Sequence, residues 1–190
     1  MKREIMEWVI SIVVGLLVVI VVTKFIGESY TVSGSSMHPK FQDRNKVIVS
    51  KISKSMNHID NGDVVVFHED SKRDFIKRVI GTPGDTVEYK GDQLYVNNKK
   101  VSEPYLDYNK KHKQGQYLTG SFKSSQIKGS NGEMKLPKDK YLVLGDNRQN
   151  SIDSRFDVVG LVDKKQLVGK VVWRYWPFNE WKTNFNPGTF

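Results

Sequence analysis

Two short stretches carry side chains that could do hydrolytic chemistry together. The first, Tyr30-Thr31-Val32-Ser33-Gly34-Ser35-Ser36-Met37-His38-Pro39, places serines and a glycine in a turn, and Pro39 discourages helix there. A hydroxyl in such a turn can meet a substrate, but serine is a weak nucleophile without a base beside it. The second, Phe75-Ile76-Lys77-Arg78-Val79-Ile80, offers Lys77 as that base. Read as a strand, its side chains alternate, so Lys77 shares a face with Phe75 and Val79, while Arg78 lies opposite with Ile76 and Ile80. An ammonium held among apolar groups is disfavoured, and its pKa falls. To act as a base near pH 8 it must drop about two units from ~10.4, a differential of about 3 kcal/mol that burial can supply. Arginine stays protonated and could not serve. Taken alone, the stretch also fits an ordinary strand lysine with its head group in water.

A third cluster, Gly145-Asp146-Asn147-Arg148-Gln149-Asn150-Ser151-Ile152-Asp153-Ser154-Arg155, packs carboxylates, guanidinium groups and hydroxyls into eleven residues. It reads as a hydrogen-bonded brace, with Asp153 paired to Arg155 or Arg78, and Asp146 paired to Arg148. It reads equally as a polar loop whose surface ion pairs contribute little. A Ser-His-Asp triad would need one of His38, His58, His68 or His112. His38 is two residues from Ser36 and badly placed to turn back on it, and the others sit in polar surroundings. No Gly-x-Ser-x-Gly elbow occurs. Ser125-Gln126-Ile127-Lys128 matches Ser-x-x-Lys only formally, inside a polar segment.

The elements that must position these groups follow from the apolar pattern. The chain has 190 residues, a net charge of +9 and no cysteine, which excludes disulfides and a thiol nucleophile. The charge suits an anionic partner such as lipid headgroups, or is simply solvated surface; without basic–aromatic interleaving or zinc spacing, no nucleic-acid partner is expected. From Ile5 to Ile26 runs a nearly unbroken apolar segment of a length to cross the ~30 Å hydrocarbon layer. Trp8 and Lys24 suit the two interfaces, and no small-x-small cleavage site follows, so an uncleaved anchor is expected rather than a secretory signal. Lys2 and Arg3 predict residues 1–4 in the cytoplasm, a span over 5–26, and everything beyond outside.

Past the anchor, β-branched runs bounded by turns predict strands over 46–49, 63–67, 75–80, 86–89, 93–96, near 101, and over 140–144, 158–162 and 168–176. Lys90-Gly91-Asp92 and Asn97-Asn98 are hairpin turns. Residues 109–133, rich in Lys, Gly, Ser and Gln, predict a surface excursion or small subdomain. The expected fold is mainly β: one transmembrane helix, then a β-rich catalytic core over 27–90 and 137–190, with a small inserted β subdomain at 91–136.

With these residues quoted, the sequence resembles the type I signal peptidases, membrane-bound bacterial serine proteases with a Ser/Lys dyad. The likeness runs through the anchor, Gly34-Ser35-Ser36-Met37-His38-Pro39, Gly62-Asp63-Val64-Val65-Val66-Phe67, the Lys77 strand on through Gly81-Thr82-Pro83-Gly84-Asp85, and the 145–155 cluster. The short insert and single anchor look like the Gram-positive branch. The resemblance implies that Ser36 is the nucleophile, Lys77 the general base, Ser151 the group that orients the amine, and Asp153, Arg155, Arg78 and Asp146 a supporting brace. It implies signal peptides of exported preproteins as substrates, bound extended with small residues at −3 and −1 in shallow pockets, for which Tyr30, Val32, Met37, Phe41, Phe75 and Ile76 are the candidates. No cofactor and no metal are implied. Three departures stand out: Lys40 replaces the family's usual threonine, the loop 156–159 is longer, and Gly34 replaces a serine that in some members completes the oxyanion hole, so a backbone N–H must serve. The rival reading is a membrane-tethered, non-catalytic β module that binds anionic surface polymers.

Overall fold

The computed structural model describes residues 2–21, 27–51, 58–70 and 73–190. It begins with helix α1, Lys2–Val21, followed by an antiparallel sheet of eight strands: β1 Gly27–Thr31, β2 Lys46–Ser50, β3 Val64–His68, β4 Asp74–Gly81, β9 Lys140–Leu144, β10 Val162–Asp163, β11 Leu167–Trp176 and β12 Lys182–Thr183. Their order is β1-β2-β11-β3-β4-β9-β10, with β12 added on β11. A second, four-stranded sheet contains β5 Val87–Lys90, β6 Gln93–Val96, β7 Lys99–Val101 and β8 Phe122–Lys123, in the order β7-β6-β5-β8. Short helix α2, Asp107–Lys111, lies between β7 and β8. The chain is thus mainly β with an N-terminal helix.

Among the described residues, no helix is long and apolar enough to cross a membrane. The first turns of α1 contain Lys2, Arg3, Glu4 and Glu7, which leaves an apolar part over residues 8–21. At 1.5 Å per residue that part rises about 21 Å, short of the ~30 Å layer. The rest of the expected span, residues 22–26, lies outside the described residues.

The strands form where alternation and β-branching place them. Asn97 and Asn98, both with positive φ, close the tight β6–β7 hairpin, the backbone geometry that asparagine tolerates. The expected strand over 158–162 is largely absent: residues 156–160 form a turn in which the Val159 and Gly160 N–H groups both donate to the Phe156 carbonyl, and only Val162–Asp163 pairs, with β9. The polar segment 109–133 is no loose excursion. Its Leu118 and Ile127 are buried, β8 pairs with β5, and Asn109, Ser124 and Ser130 are buried with hydrogen bonds.

Three apolar clusters hold these layers. Val32, Met37, Phe41, Val47, Val49, Val66 and Ile76 pack beneath the serine turn. Val65, Phe67, Val79, Val143 and Leu167 fill the other side of the main sheet. Ile80, Leu142 and Leu144 meet Val87, Tyr89 and Leu94 from the second sheet, with Leu136 beside them. Strand β4 feeds all three, so the side chains it carries are fixed from both sides.

Candidate active site

The serine turn leaves β1 at Val32, whose N–H donates to Asn45 O and whose carbonyl accepts from Arg44 N–H, each at 2.8 Å. Gly34 follows with φ of +83°, a conformation glycine adopts without strain. Its N–H donates to Asp43 Oδ1 at 2.8 Å. Met37 and Phe41 then anchor the far side of the turn in the core. Ser36 is held from behind, because its carbonyl accepts the Asn147 N–H at 2.9 Å.

Lys77 reaches this turn from β4. Its Nζ donates to Ser36 Oγ at 2.8 Å and to the Ile76 carbonyl at 3.1 Å, and stands 5.0 Å from the Phe75 ring centroid. The residue is only 3% exposed. Burial lowers its pKa to about 8, against a smaller upward pull from the Asp153 and Asp146 carboxylates. A hydroxyl in contact with a buried amine that is easily neutralised is an arrangement suited to moving the hydroxyl proton.

The brace differs in its pairings from the sequence reading. Arg78, not Arg148, is the partner of Asp146: Nε and Nη2 donate to its two carboxylate oxygens at 2.8 and 2.7 Å. Arg148 reaches instead across to the second sheet, where Nη2 donates to Glu103 Oε1 at 2.7 Å. Asp153 pairs with Arg155, as one of the two alternatives had it, at 2.8 and 2.9 Å, and it also accepts the Gly145 N–H at 3.0 Å. Ser151 makes no hydrogen bond to Lys77. Its Oγ is buried without a hydrogen-bond partner among the described residues, packed over Gly145, where a Cβ would collide with it and with the Ser36 carbonyl.

A cleft of about 470 Å³ opens in front of Ser36 and Lys77. Of the candidates named for the substrate pocket, Tyr30, Val32, Phe75 and Ile76 line it, as does Gly34. Met37 and Phe41 do not line it. They are core side chains, Met37 with its Sδ at 3.4 Å from the Asp146 backbone nitrogen and Phe41 with its ring 4.7 Å from that of Phe185 at a tilt of 41°. Tyr30 has its hydroxyl pKa pushed up to about 12 by burial and by the Glu28 and Asp74 carboxylates. The cleft also gains Asp74, Gln149, Asn150, Ile152 and Phe156, which sequence reasoning passed over. The exposed apolar Ile152 and Phe156 beside the polar motif were the available signal.

Both walls of the cleft expose backbone. Strand β1 is an edge of the main sheet, and β4 pairs with β9 only from Arg78 onward, so residues 74–77 are paired on the β3 side alone. Of the histidines, His38 turns its ring edge-on to Tyr108 at 5.3 Å, and His68 contacts Asp74.

The family model described as "Signal peptidase, peptidase S26" matches residues 5–176. The chain is 52% identical to signal peptidase IB of Staphylococcus aureus (strain COL) over 188 residues, covering 98% of this chain and 97% of that protein. It is 43% identical to signal peptidase I S of Bacillus subtilis (strain 168) over 187 residues, 96% of each. The crystal structure of a signal peptidase I from Enterococcus faecalis superposes with a TM-score of 0.52 at 33% identity, covering 58% of this chain and 94% of that one.

Proposed function

The chain belongs to the signal peptidase family, peptidase S26, and from that premise we propose that it is a membrane-bound serine endopeptidase that removes N-terminal signal peptides from exported preproteins. The observation that carries the assignment of roles is the 2.8 Å contact between Lys77 Nζ and Ser36 Oγ in a buried setting. With the amine neutral, the contact reverses: the Ser36 hydroxyl donates to Nζ, and the proton passes to it as Oγ attacks the scissile carbonyl. The resulting lysinium returns the proton to the leaving amine. Neutral again, Lys77 takes a proton from the water that hydrolyses the acyl-enzyme. The Gly34 N–H already donates to Asp43, which leaves the Ser36 N–H to face the oxyanion.

The substrate enters as an extended strand between β1 and residues 74–77 of β4, where both backbones offer hydrogen bonds. Val32, Phe75 and Ile76 then meet its small residues at −3 and −1, with Tyr30 further along the cleft. Ser151 and the Asp153–Arg155 and Arg78–Asp146 pairs support the dyad from behind. Residues 1–4 are cytoplasmic, residues 5–26 span the bilayer once, and the β-rich part lies outside, built as a core over 27–90 and 137–190 with the insert at 91–136. The side chains of α1 from Ile5 to Val19 are exposed on every side, which suits a lipid environment, and Trp173, Trp176, Phe178 and Trp181 offer aromatic surface to the interface. A non-catalytic module for anionic polymers leaves the buried dyad without a purpose and is not favoured.

The test is the purified full-length chain, in detergent, with a presecretory protein as substrate. Cleavage is expected to vanish in both Ser36→Ala and Lys77→Ala; unchanged processing by either variant removes that residue from the dyad.

A further inference from the structure

The catalytic turn and the brace loop are tied together by the second sheet and its helix, which take no part in the chemistry just described. From α2, the buried Asn109 side chain sends one amide nitrogen to two carbonyls: Nδ2 donates to His38 O, two residues past Ser36, at 2.8 Å, and to Asp146 O, in the brace loop, at 2.9 Å. No other side chain among the described residues bridges these two carbonyls. One residue beyond the second carbonyl, the Asn147 N–H holds the Ser36 carbonyl. The brace loop is gripped twice more from the insert. Arg148, fully buried, is neutralised by Glu103 and receives support from Tyr89 and Thr119. Gln149 and Gln114 exchange a reciprocal pair, Gln114 N–H to Gln149 Oε1 at 2.9 Å and Gln149 Nε2 to Gln114 O at 2.6 Å.

These grips share one direction. All come from residues 89–119 and all end on residues 146–149 or on the serine turn, so the insert adds its own tie to the direct contacts of Asn147 and Asn150 with the Ser36 loop. Resting on the reading of Ser36 and Lys77 as the reacting pair, we propose that the second sheet with α2 is a clasp on the active site, and that Asn109 is the positioning residue at its tip. Its two hydrogen bonds hold the backbone just past the nucleophile in register with the brace. A displacement of about 1 Å at a nucleophile can lower a rate by about 10²-fold. Asn109 touches neither the cleft nor the dyad, so the effect falls on turnover and leaves substrate binding alone.

The experiment uses the full-length chain in detergent with a presecretory substrate, measuring kcat and KM separately, the pH profile, and the thermal unfolding midpoint. Asn109→Leu keeps the branched shape and removes both donors. It is expected to lower kcat at least about tenfold, with KM within about twofold and the acid limb of the pH profile unmoved. Asn109→Ser, small and polar, cannot span both carbonyls and is expected to lose kcat in the same way, which covers a failure of the leucine variant to fold. A kcat within about twofold of the unsubstituted chain in the folded variant overturns the clasp, as does a rise in KM that accounts for the whole loss. Ser36→Ala is run beside them: cleavage by that variant defeats the dyad reading itself, whereas an inactive Ser36→Ala with an unaffected Asn109 variant defeats the clasp alone.

Discussion

Lys77 and Arg78 are neighbours on β4, both almost wholly buried, and only Arg78 has a carboxylate in hydrogen-bond contact. Their alternate directions on the strand decide this. Arg78 points to Asp146 and to the carbonyls of Gly62 and Phe185, so its charge is fully compensated. Lys77 points to a hydroxyl, a carbonyl and an aromatic ring. The fold keeps one cation and discourages the other, and the discouraged one is the group proposed as the general base.

The pH dependence follows directly. With the Lys77 pKa lowered to about 8 by burial, the neutral amine dominates above that pH. Below it, kcat/KM is expected to fall about tenfold per pH unit, because binding of a single proton inactivates the base. The profile of kcat/KM from pH 5 to 10 checks this, and a rate that holds level down to pH 6 removes lysine as the base. Lys77→Arg keeps the charge and the length but stays protonated; its expected rate is lower by at least about 10²-fold at every pH, the usual worth of a general base.

The same burial sets a stability penalty. The folded pKa of Lys77 lies below its ordinary 10.5, so between about pH 8 and 10.5 the unfolded chain binds the proton and the folded chain does not. Stability therefore rises with pH across that window, and at neutral pH the penalty stands in full, at about 3 kcal/mol as an order of magnitude. Lys77→Met, of similar shape and without charge, is expected to be inactive and to unfold at a higher temperature than the parent at pH 7, with the difference shrinking toward pH 10. Calorimetry at the two pH values checks it; an unchanged or lower midpoint at pH 7 contradicts the buried-amine account.

Much of the strand pattern was legible in the chain because β-branched runs such as 64–67 and 75–80 carry it locally. The burial of Lys77 was not, since a lysine on a strand face looks alike whether water or Val65 of β3 stands beside it. The partner of Arg148 was hidden for a different reason. Glu103 lies 45 positions away in the chain, whereas Asp146 is two away, and proximity along the chain favoured the wrong carboxylate. The polar composition of residues 109–133 left a surface excursion and a small subdomain both open; what composition conceals is that Asn109 and Ser124 are buried through hydrogen bonds to backbone carbonyls. Met37 and Phe41 were placed in the substrate pocket by nearness to Ser36, but the turn swings them inward to the core. Val158 and Val159 have strand-forming side chains, yet the Phe156 carbonyl captures the N–H groups of Val159 and Gly160 and folds the segment into a turn.

Breaking the Arg78 pair is expected to affect stability first. Asp146→Asn keeps the shape and leaves the buried guanidinium without its counter-charge, which destabilises a protein by about 3–5 kcal/mol when a buried partner is removed. Urea unfolding of the parent and the variant measures the difference. A loss below about 1 kcal/mol, the range of exposed pairs, would falsify the view that this pair is a buried structural brace.

Asp153 lies nearer the chemistry, and its removal is expected to do two things at once. Its carboxylate accepts the Gly145 N–H and pairs with Arg155, whose Nη2 also donates to the Arg148 carbonyl, so Asp153→Asn loosens the loop that backs Ser36. Turnover should fall through this loss of position. The same carboxylate is the strongest of the groups that pull the Lys77 pKa upward against burial. Without it, the amine loses its proton more readily, and the acid limb of the profile should move below pH 8. The variant is therefore expected to be slower at its plateau and yet to retain a larger share of that plateau at pH 7 than the parent retains of its own. A structural lesion lowers the plateau and leaves the limb in place, so the pH profiles of the two enzymes, each scaled to its own maximum, separate the electrostatic role from the mechanical one. Coincident scaled profiles would mean that Asp153 acts on the loop alone.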